Sequence, residues 1–78
     1  MSNIEKLNNI FIEVFAVDES CLPGLNKDNV DGWDSVHQLS LTSAVEDEFD
    51  IMLDAEDILE FTSYENAKRI LAKYEIEL

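Results

Sequence analysis

The stretch Asp34-Ser35-Val36-His37-Gln38-Leu39-Ser40-Leu41-Thr42-Ser43-Ala44-Val45-Glu46-Asp47-Glu48-Phe49 decides how this 78-residue chain folds. At 100° per residue Leu41, Val45 and Phe49 fall on one face, flanked by Thr42, while Val36, Ser40, Ser43 and Asp47 form the opposite stripe. The first face suits a core and the second suits water, so the stretch reads as an amphipathic helix that ends near Phe49. Ser35 at its start, with Gln38 three residues on, has the spacing of a capping box. Val36 is then a solvent-facing apolar residue beside Ser35. A single exposed valine needs no explanation, but a small apolar spot ringed by acid is a surface on which a partner can dock.

Upstream, Ile4, Leu7, Ile10, Phe11, Val14 and Phe15 make one apolar stripe at helical spacing, and Ser2 with Glu5 forms a capping box, which together predict a helix from about Asn3 to Ala16. From Val17 to Asp34 the period stops. Pro23-Gly24, Asn26, Asn29 and Gly32 supply turn residues instead, so a long loop is expected, with Trp33 packing at its end to pin it. Downstream, Ile51 to Leu53 reads as a short connection, and Asp54 caps a brief helical turn through Ile58, Leu59 and Phe61. Thr62 with Glu65 offers a further capping box before the stripe Ala67, Ile70, Leu71 and Tyr74. Lys68, Arg69 and Lys73 lie towards that helix's C-terminus, where positive charge complements the dipole. The expected fold is all-α: a small bundle of three main helices plus one short helix, with a long loop after the first helix. No strand and no internal repeat is expected, and residues 1–78 read as a single domain.

Eighteen acidic against five basic residues give a formal charge of −13, and no Lys or Arg stands between Asp28 and Ala67. Phosphate backbones and anionic lipid surfaces repel such a chain, so nucleic acid and membrane insertion are not expected, whereas basic protein surfaces are natural partners. No apolar run approaches the roughly 18 residues that span a bilayer. The single Cys21 has no second thiol to pair with and no His or Cys cluster around it. It is expected to be a buried free thiol in a reducing, cytoplasmic protein, and the chain is expected to be a monomer.

Several chemistries fail on spacing. Setting Gly32 at the sixth position of an EF-hand loop puts Lys27 where the first carboxylate belongs and Gln38 where the bidentate glutamate belongs, so no calcium loop is present. His37 stands two residues from Ser35 at a helix start. Side chains so spaced do not face each other, so His37 is badly placed as a base for Ser35 and reads as solvated. There is no Gly-rich phosphate loop or metal-ligand cluster, and no catalytic residue and no metal ligand is assigned. What remains is Ser35, a hydroxyl at a helix start, after a long loop, on an acidic face. Capping alone explains its position, and the same hydroxyl, exposed near backbone N–H groups that favour an anionic phosphate, is compatible with a functional role as well.

On these residues the chain resembles the acyl carrier protein family. Asp34-Ser35-Val36 is similar to that family's Asp-Ser-Leu attachment motif, and Ala44-Val45-Glu46-Asp47-Glu48-Phe49-Asp50-Ile51 is similar to its acidic second helix with a Glu-Glu-Phe ending. The order helix, long loop, helix, short helix, helix extends the likeness over nearly the whole chain. The resemblance implies that Ser35 receives 4′-phosphopantetheine from coenzyme A through a magnesium-dependent phosphopantetheinyl transferase. It implies also that the protein, without catalysis of its own, carries acyl groups as thioesters on that arm. Partner recognition along the second helix maps onto Asp34, Val36, Glu46 and Asp47, with Glu48 beside them, and the implied partners are acyl-loading and acyl-using enzymes with basic docking patches. Val36 for the usual Leu, Trp33 before Asp34 and His37 after Val36 depart from the common fatty-acid pattern. The pathway is left open between fatty acid, polyketide and related specialised synthesis. Two alternatives stand beside this: an aminoacyl or peptidyl carrier, against which the Gly32-Trp33 step counts, and an unmodified acidic helical module that uses Ser35 only as a cap.

Overall fold

A computed structural model describes residues 2–30 and 32–78, and the described residues are all-α. Helix α1 spans Asn3–Phe15, α2 Ser35–Phe49, α3 Ala55–Glu60 and α4 Tyr64–Lys73, with a 3-10 turn at Glu19–Gly24 between the first two. Helix α1 starts as its spacing predicts. Ser2 Oγ accepts from the Glu5 backbone N–H at 3.3 Å and the Glu5 carboxylate accepts from Ser2 N at 3.4 Å, so each satisfies an orphan donor of the other. The hydrogen bonds from Ser2 hold the Glu5 carboxyl below its ordinary range. The helix buries Leu7, Ile10 and Phe11 and stops at Ala16, which turns left-handed at φ 54°.

The long segment before α2 contains more structure than its turn residues predict. Cys21 N donates to Asp18 O and Leu25 N to Leu22 O, both at 3.0 Å, which closes the 3-10 turn and buries Leu22 with Leu25 beyond it. Leucines three apart share one face of such a turn, and that face packs on α1 and α4. Cys21 is consequently exposed, not buried, because its neighbour Leu22 takes the inward position.

Three caps differ from their expected positions by one residue or by chemistry. Asp34, not Ser35, is the N-cap of α2: its backbone is extended and its Oδ1 accepts from His37 N at 2.9 Å. Ser35 is therefore the first helical residue, and Gln38 does not close a capping box with it. Helix α4 is capped by Ser63, whose Oγ accepts from Asn66 N at 3.0 Å, while Thr62 Oγ1 turns to the carbonyl of Glu60. Asp54 occupies the N-cap position of α3 but makes no side-chain capping bond.

The core joins Leu7, Phe11, Leu22, Leu41, Val45, Phe61, Ala67, Ile70 and Leu71, with α1 against α2 and α4 against the 3-10 turn. Leu41 and Val45 point inward as their period requires, with Thr42 buried beside them, and Phe49 is half-buried against the same core. Asn26 and Ser63 form an isolated antiparallel bridge. Lys27 N donates to Thr62 O at 2.9 Å and Tyr64 N to Leu25 O at 3.0 Å, so the first loop is tied to the α3–α4 connection. Among the described residues no helix is long and apolar enough to cross a membrane.

Among the described residues one charged side chain, that of Asp57, is buried. Asp57 is 3% exposed, yet both its oxygens are satisfied: Lys73 Nζ donates to Oδ1 at 2.7 Å and Tyr74 Oη to Oδ2 at 2.6 Å. These bonds, that of Lys73 first, hold the Asp57 carboxyl below the usual carboxylate range and raise Lys73. A carboxyl whose pKa is depressed by folding contributes stability above its unfolded value, about 3.9, and loses it as pH falls through the folded value. The stability gap between the native protein and Asp57→Asn should stay constant from neutral pH to about 4 and close on further acidification, as read by thermal melts across pH. A second expectation follows from the two faces of α2. Val36 is 69% exposed and Val45 is fully buried, so Val36→Asp should leave the melting temperature almost unchanged while Val45→Asp, which buries an unpaired charge, should unfold the domain.

Candidate functional site

Ser35 stands at the first position of α2, exposed, one residue after the side chain that does the capping. Because Asp34 satisfies the helix end, the Ser35 hydroxyl has no structural duty, and among the described residues nothing hydrogen-bonds to its Oγ. Asp34 is itself fixed: the His37 backbone N–H and then the His37 ring, whose Nδ1 lies 2.8 Å from Oδ1, hold its carboxyl below the ordinary range. The imidazole is thus engaged with Asp34 and stacked at 6.0 Å on Phe15.

The segment entering Ser35 is held by an aromatic cluster and one amide. Gly32 turns the chain at φ 93°, a conformation that favours glycine. Trp33 then packs at 4.4 Å on Phe15 and edge-on at 6.2 Å to Phe11, and Phe11 meets Tyr64 at 5.5 Å. Its indole Nε1–H donates to Gln38 Oε1 at 2.5 Å. The Nε2 of the same Gln38 donates to Ile58 O at 2.7 Å and Phe61 O at 2.8 Å. Trp33 therefore pins the loop, as expected, but through Gln38 it also fixes the end of α3 against α2. Between these elements opens a cleft of about 320 Å³ lined by Lys27, Trp33, Asp34, Ser35, Gln38, Ile58, Leu59 and Thr62.

Beyond the cleft, the outward face of α2 carries two apolar residues among its serines and acids. Val36 and Leu39 are exposed at 69% and 61%, and Met52 and Leu59 from the following segments are exposed at 84% and 77%. The structure divides the acids expected to meet partners. Asp47 and Glu48 are exposed. Glu46 is half-buried, and its Oε2 accepts from Leu53 N at 2.8 Å, so it also anchors the α2–α3 connection. Asp34, Ser35 and Val36 sit together at the head of the helix, while Glu46 and Asp47 lie three turns further along it.

Some residues of the site carry a sequence signal and some do not. Leu39 stands three residues after Val36 and so shares its face by spacing alone. Lys27, Leu59 and Thr62 carry no local signal. The backbone bridge between the first loop and the α3–α4 connection brings them to Ser35. Among the described residues no group of three or more His, Cys, Asp or Glu gathers as a metal site. An exposed hydroxyl free of any cap, over a cleft of mixed polarity, can be esterified without unmaking the helix start.

No protein-family model matches the chain, and no curated protein matches it significantly.

Gln38 is the side chain on which the cleft depends. Gln38→Leu keeps the volume but leaves the Trp33 indole N–H and the carbonyls of Ile58 and Phe61 without their partner, so it should cost about 1–3 kcal/mol. The same change should alter Trp33 fluorescence before global unfolding in denaturant, because the indole loses its anchor.

Proposed function

We propose that this chain is an acyl carrier protein, modified at Ser35 with 4′-phosphopantetheine and presenting acyl intermediates to biosynthetic enzymes. The observation that carries the proposal is the Ser35 hydroxyl: exposed, bonded to nothing among the described residues, relieved of capping by Asp34, and opening on a cleft at the head of an acidic helix. The arm supplies a thiol on which acyl groups are held as thioesters. In the loading step the Ser35 oxygen bonds to the phosphorus next to the pantetheine in coenzyme A, and the pyrophosphate P–O bond breaks. Adenosine 3′,5′-bisphosphate leaves, and the hydroxyl proton passes to a base of the transferase.

The rest of the chain orients and presents. Asp34, held by His37, keeps a fixed negative charge one residue from Ser35. Val36 and Leu39 offer exposed apolar contacts that a transferase or an acyl-using enzyme can cover, and Asp47 and Glu48 add negative charge along the same helix. Glu46, which holds Leu53 N, serves the site mainly by keeping the α2–α3 connection in place. On this reading the four helices form the carrier-family bundle around the core of α1, α2 and α4, and the protein works in the reducing cytoplasm, where an exposed Cys21 stays free.

Intact mass after incubation with coenzyme A and a broad-range phosphopantetheinyl transferase tests the proposal. The native chain should gain one phosphopantetheinyl group and Ser35→Ala none. Because Asp34 makes the cap, Ser35→Ala should stay within about 0.5 kcal/mol of native stability. A folded Ser35→Ala protein that still gains the mass, or a native chain that never does, overturns the assignment.

A further inference from the structure

Helix α3 is held in place differently from its neighbours. Helices α1, α2 and α4 each bury apolar side chains, whereas the one side chain that α3 buries is a carboxylate, Asp57, with Ile58 half-buried beside it. Six residues make too few hydrogen bonds to hold a helix by themselves, so α3 stays folded through what other elements give it. Leu53 and Phe61, buried on either side, anchor the flanking chain, and between them the attachments are polar. At the start of α3, Tyr74 Oη accepts from Asp54 N at 3.0 Å and donates to Asp57 Oδ2 at 2.6 Å, while Lys73 Nζ donates to Asp57 Oδ1 at 2.7 Å. The tyrosine oxygen thus bridges the N-cap backbone and the third helical residue, a pair that a capping box joins directly. At the other end Gln38 holds the carbonyls of Ile58 and Phe61.

We propose that Asp57, Lys73 and Tyr74 form an acid-released clasp, which frees α3 from a bundle that otherwise stays folded when the Asp57 carboxylate takes up a proton. Protonation removes the charge opposite Lys73 and turns one carboxyl oxygen into a donor that faces another donor, Lys73 or Tyr74. Arg69 of α4 stands near the carboxylate, Asp54 near the tyrosine, Glu60 near the lysine and Glu56 on α3 itself. Of the carboxylates in this group Asp57 alone is buried, so it alone has no water to replace a lost partner. Its bonds hold it below the usual range in the closed state, and release returns it to its ordinary value, about 3.9. The clasp is therefore at full strength above that value and weakens as pH falls towards the folded one. The rest of the bundle responds with the opposite sign, because protonation relieves the self-repulsion of a chain carrying −13. Glu5 and Asp34 also lie below their ordinary range, but the helices they start are held by Leu7, Ile10 and Phe11 and by Leu41 and Val45, which do not titrate. Ile58 and Leu59 wall the cleft beside Ser35, so release of α3 takes down one side of it, whatever Ser35 carries.

Amide hydrogen exchange of the full chain, read residue by residue from neutral pH to well below the ordinary aspartate value, tests the clasp in the native protein, Asp57→Asn, Lys73→Gln and, as a remote control, Glu13→Gln. Once intrinsic exchange rates are divided out, the opening of α3 in the native protein should rise by up to about tenfold per pH unit below about 3.9, the limit set by one proton. The amides of Phe11, Val45 and Ile70 should keep their protection over the same range. In Asp57→Asn, α3 should already be open at neutral pH and indifferent to acid, Lys73→Gln should open it at neutral pH with a smaller acid response, and Glu13→Gln should follow the native protein. Protection of α3 that falls only together with the core amides, an acid response retained in Asp57→Asn, or native protection of α3 in Lys73→Gln overturns the clasp. Should Asp57→Asn fail to fold, the ¹³C carboxyl signal of Asp57 in the native chain decides: it should titrate over the same range in which α3 opens, and a separate range overturns the proposal.

Discussion

The side-chain amide of Gln38 is the constraint on which the site depends. Its three hydrogen bonds join the loop before Ser35, through Trp33, to helix α2, and join α2 to two carbonyls at the end of α3. A partly buried amide costs free energy unless its polar atoms are paired, and here both the oxygen and the nitrogen are paired to elements far apart in sequence. Relaxing any one of them would strand a donor or acceptor in the others. The cleft is therefore a consequence of polar satisfaction and not a leftover of apolar packing.

Electrostatics divides the molecule into two regions. On α4, Lys68, Arg69 and Lys73 each meet a carboxylate, and Asp57 can be buried only because Lys73 and Tyr74 occupy both its oxygens. Around α2, Asp34, Asp47 and Glu48 stand exposed without a Lys or Arg salt bridge among the described residues. Asp34 differs from the other two, since a histidine and a helix end share its charge. The result is a domain whose cations mostly stabilise the fold and whose free anions face outwards. Such a distribution favours fast association with basic surfaces over stability of the isolated chain.

The shift of the α2 cap from Ser35 to Asp34 changes the chemistry of the site more than its fold. The helix begins within a residue of where a cap at Ser35 would start it. An aspartate preceding a serine can accept the helix N–H bond with a charged oxygen, which is the stronger interaction. The serine hydroxyl is then left exposed and without a hydrogen-bond partner among the described residues. A residue that reads as a cap in sequence is thus freed for another use by its neighbour.

What the sequence determined by itself was whatever depends on near neighbours. The period of Leu7, Ile10 and Phe11, of Leu41 and Val45, and of Ala67, Ile70 and Leu71 put those residues inside, and Ser2 with Glu5 fixed the start of α1, because such patterns act over one or two turns. The exposure of Val36 was legible for the same reason. Tertiary structure decided everything that needed two distant segments to meet: the burial of Asp57 against Lys73, the inward turn of Leu22 that leaves Cys21 outside, the diversion of Gln38 from a local cap to carbonyls 20 and 23 residues away, and the arrival of Lys27 beside Thr62. No period or spacing encodes those contacts. They exist because backbone and side-chain polar groups brought together by the packed helices must find partners, and which partners are in reach is set only once the core has closed.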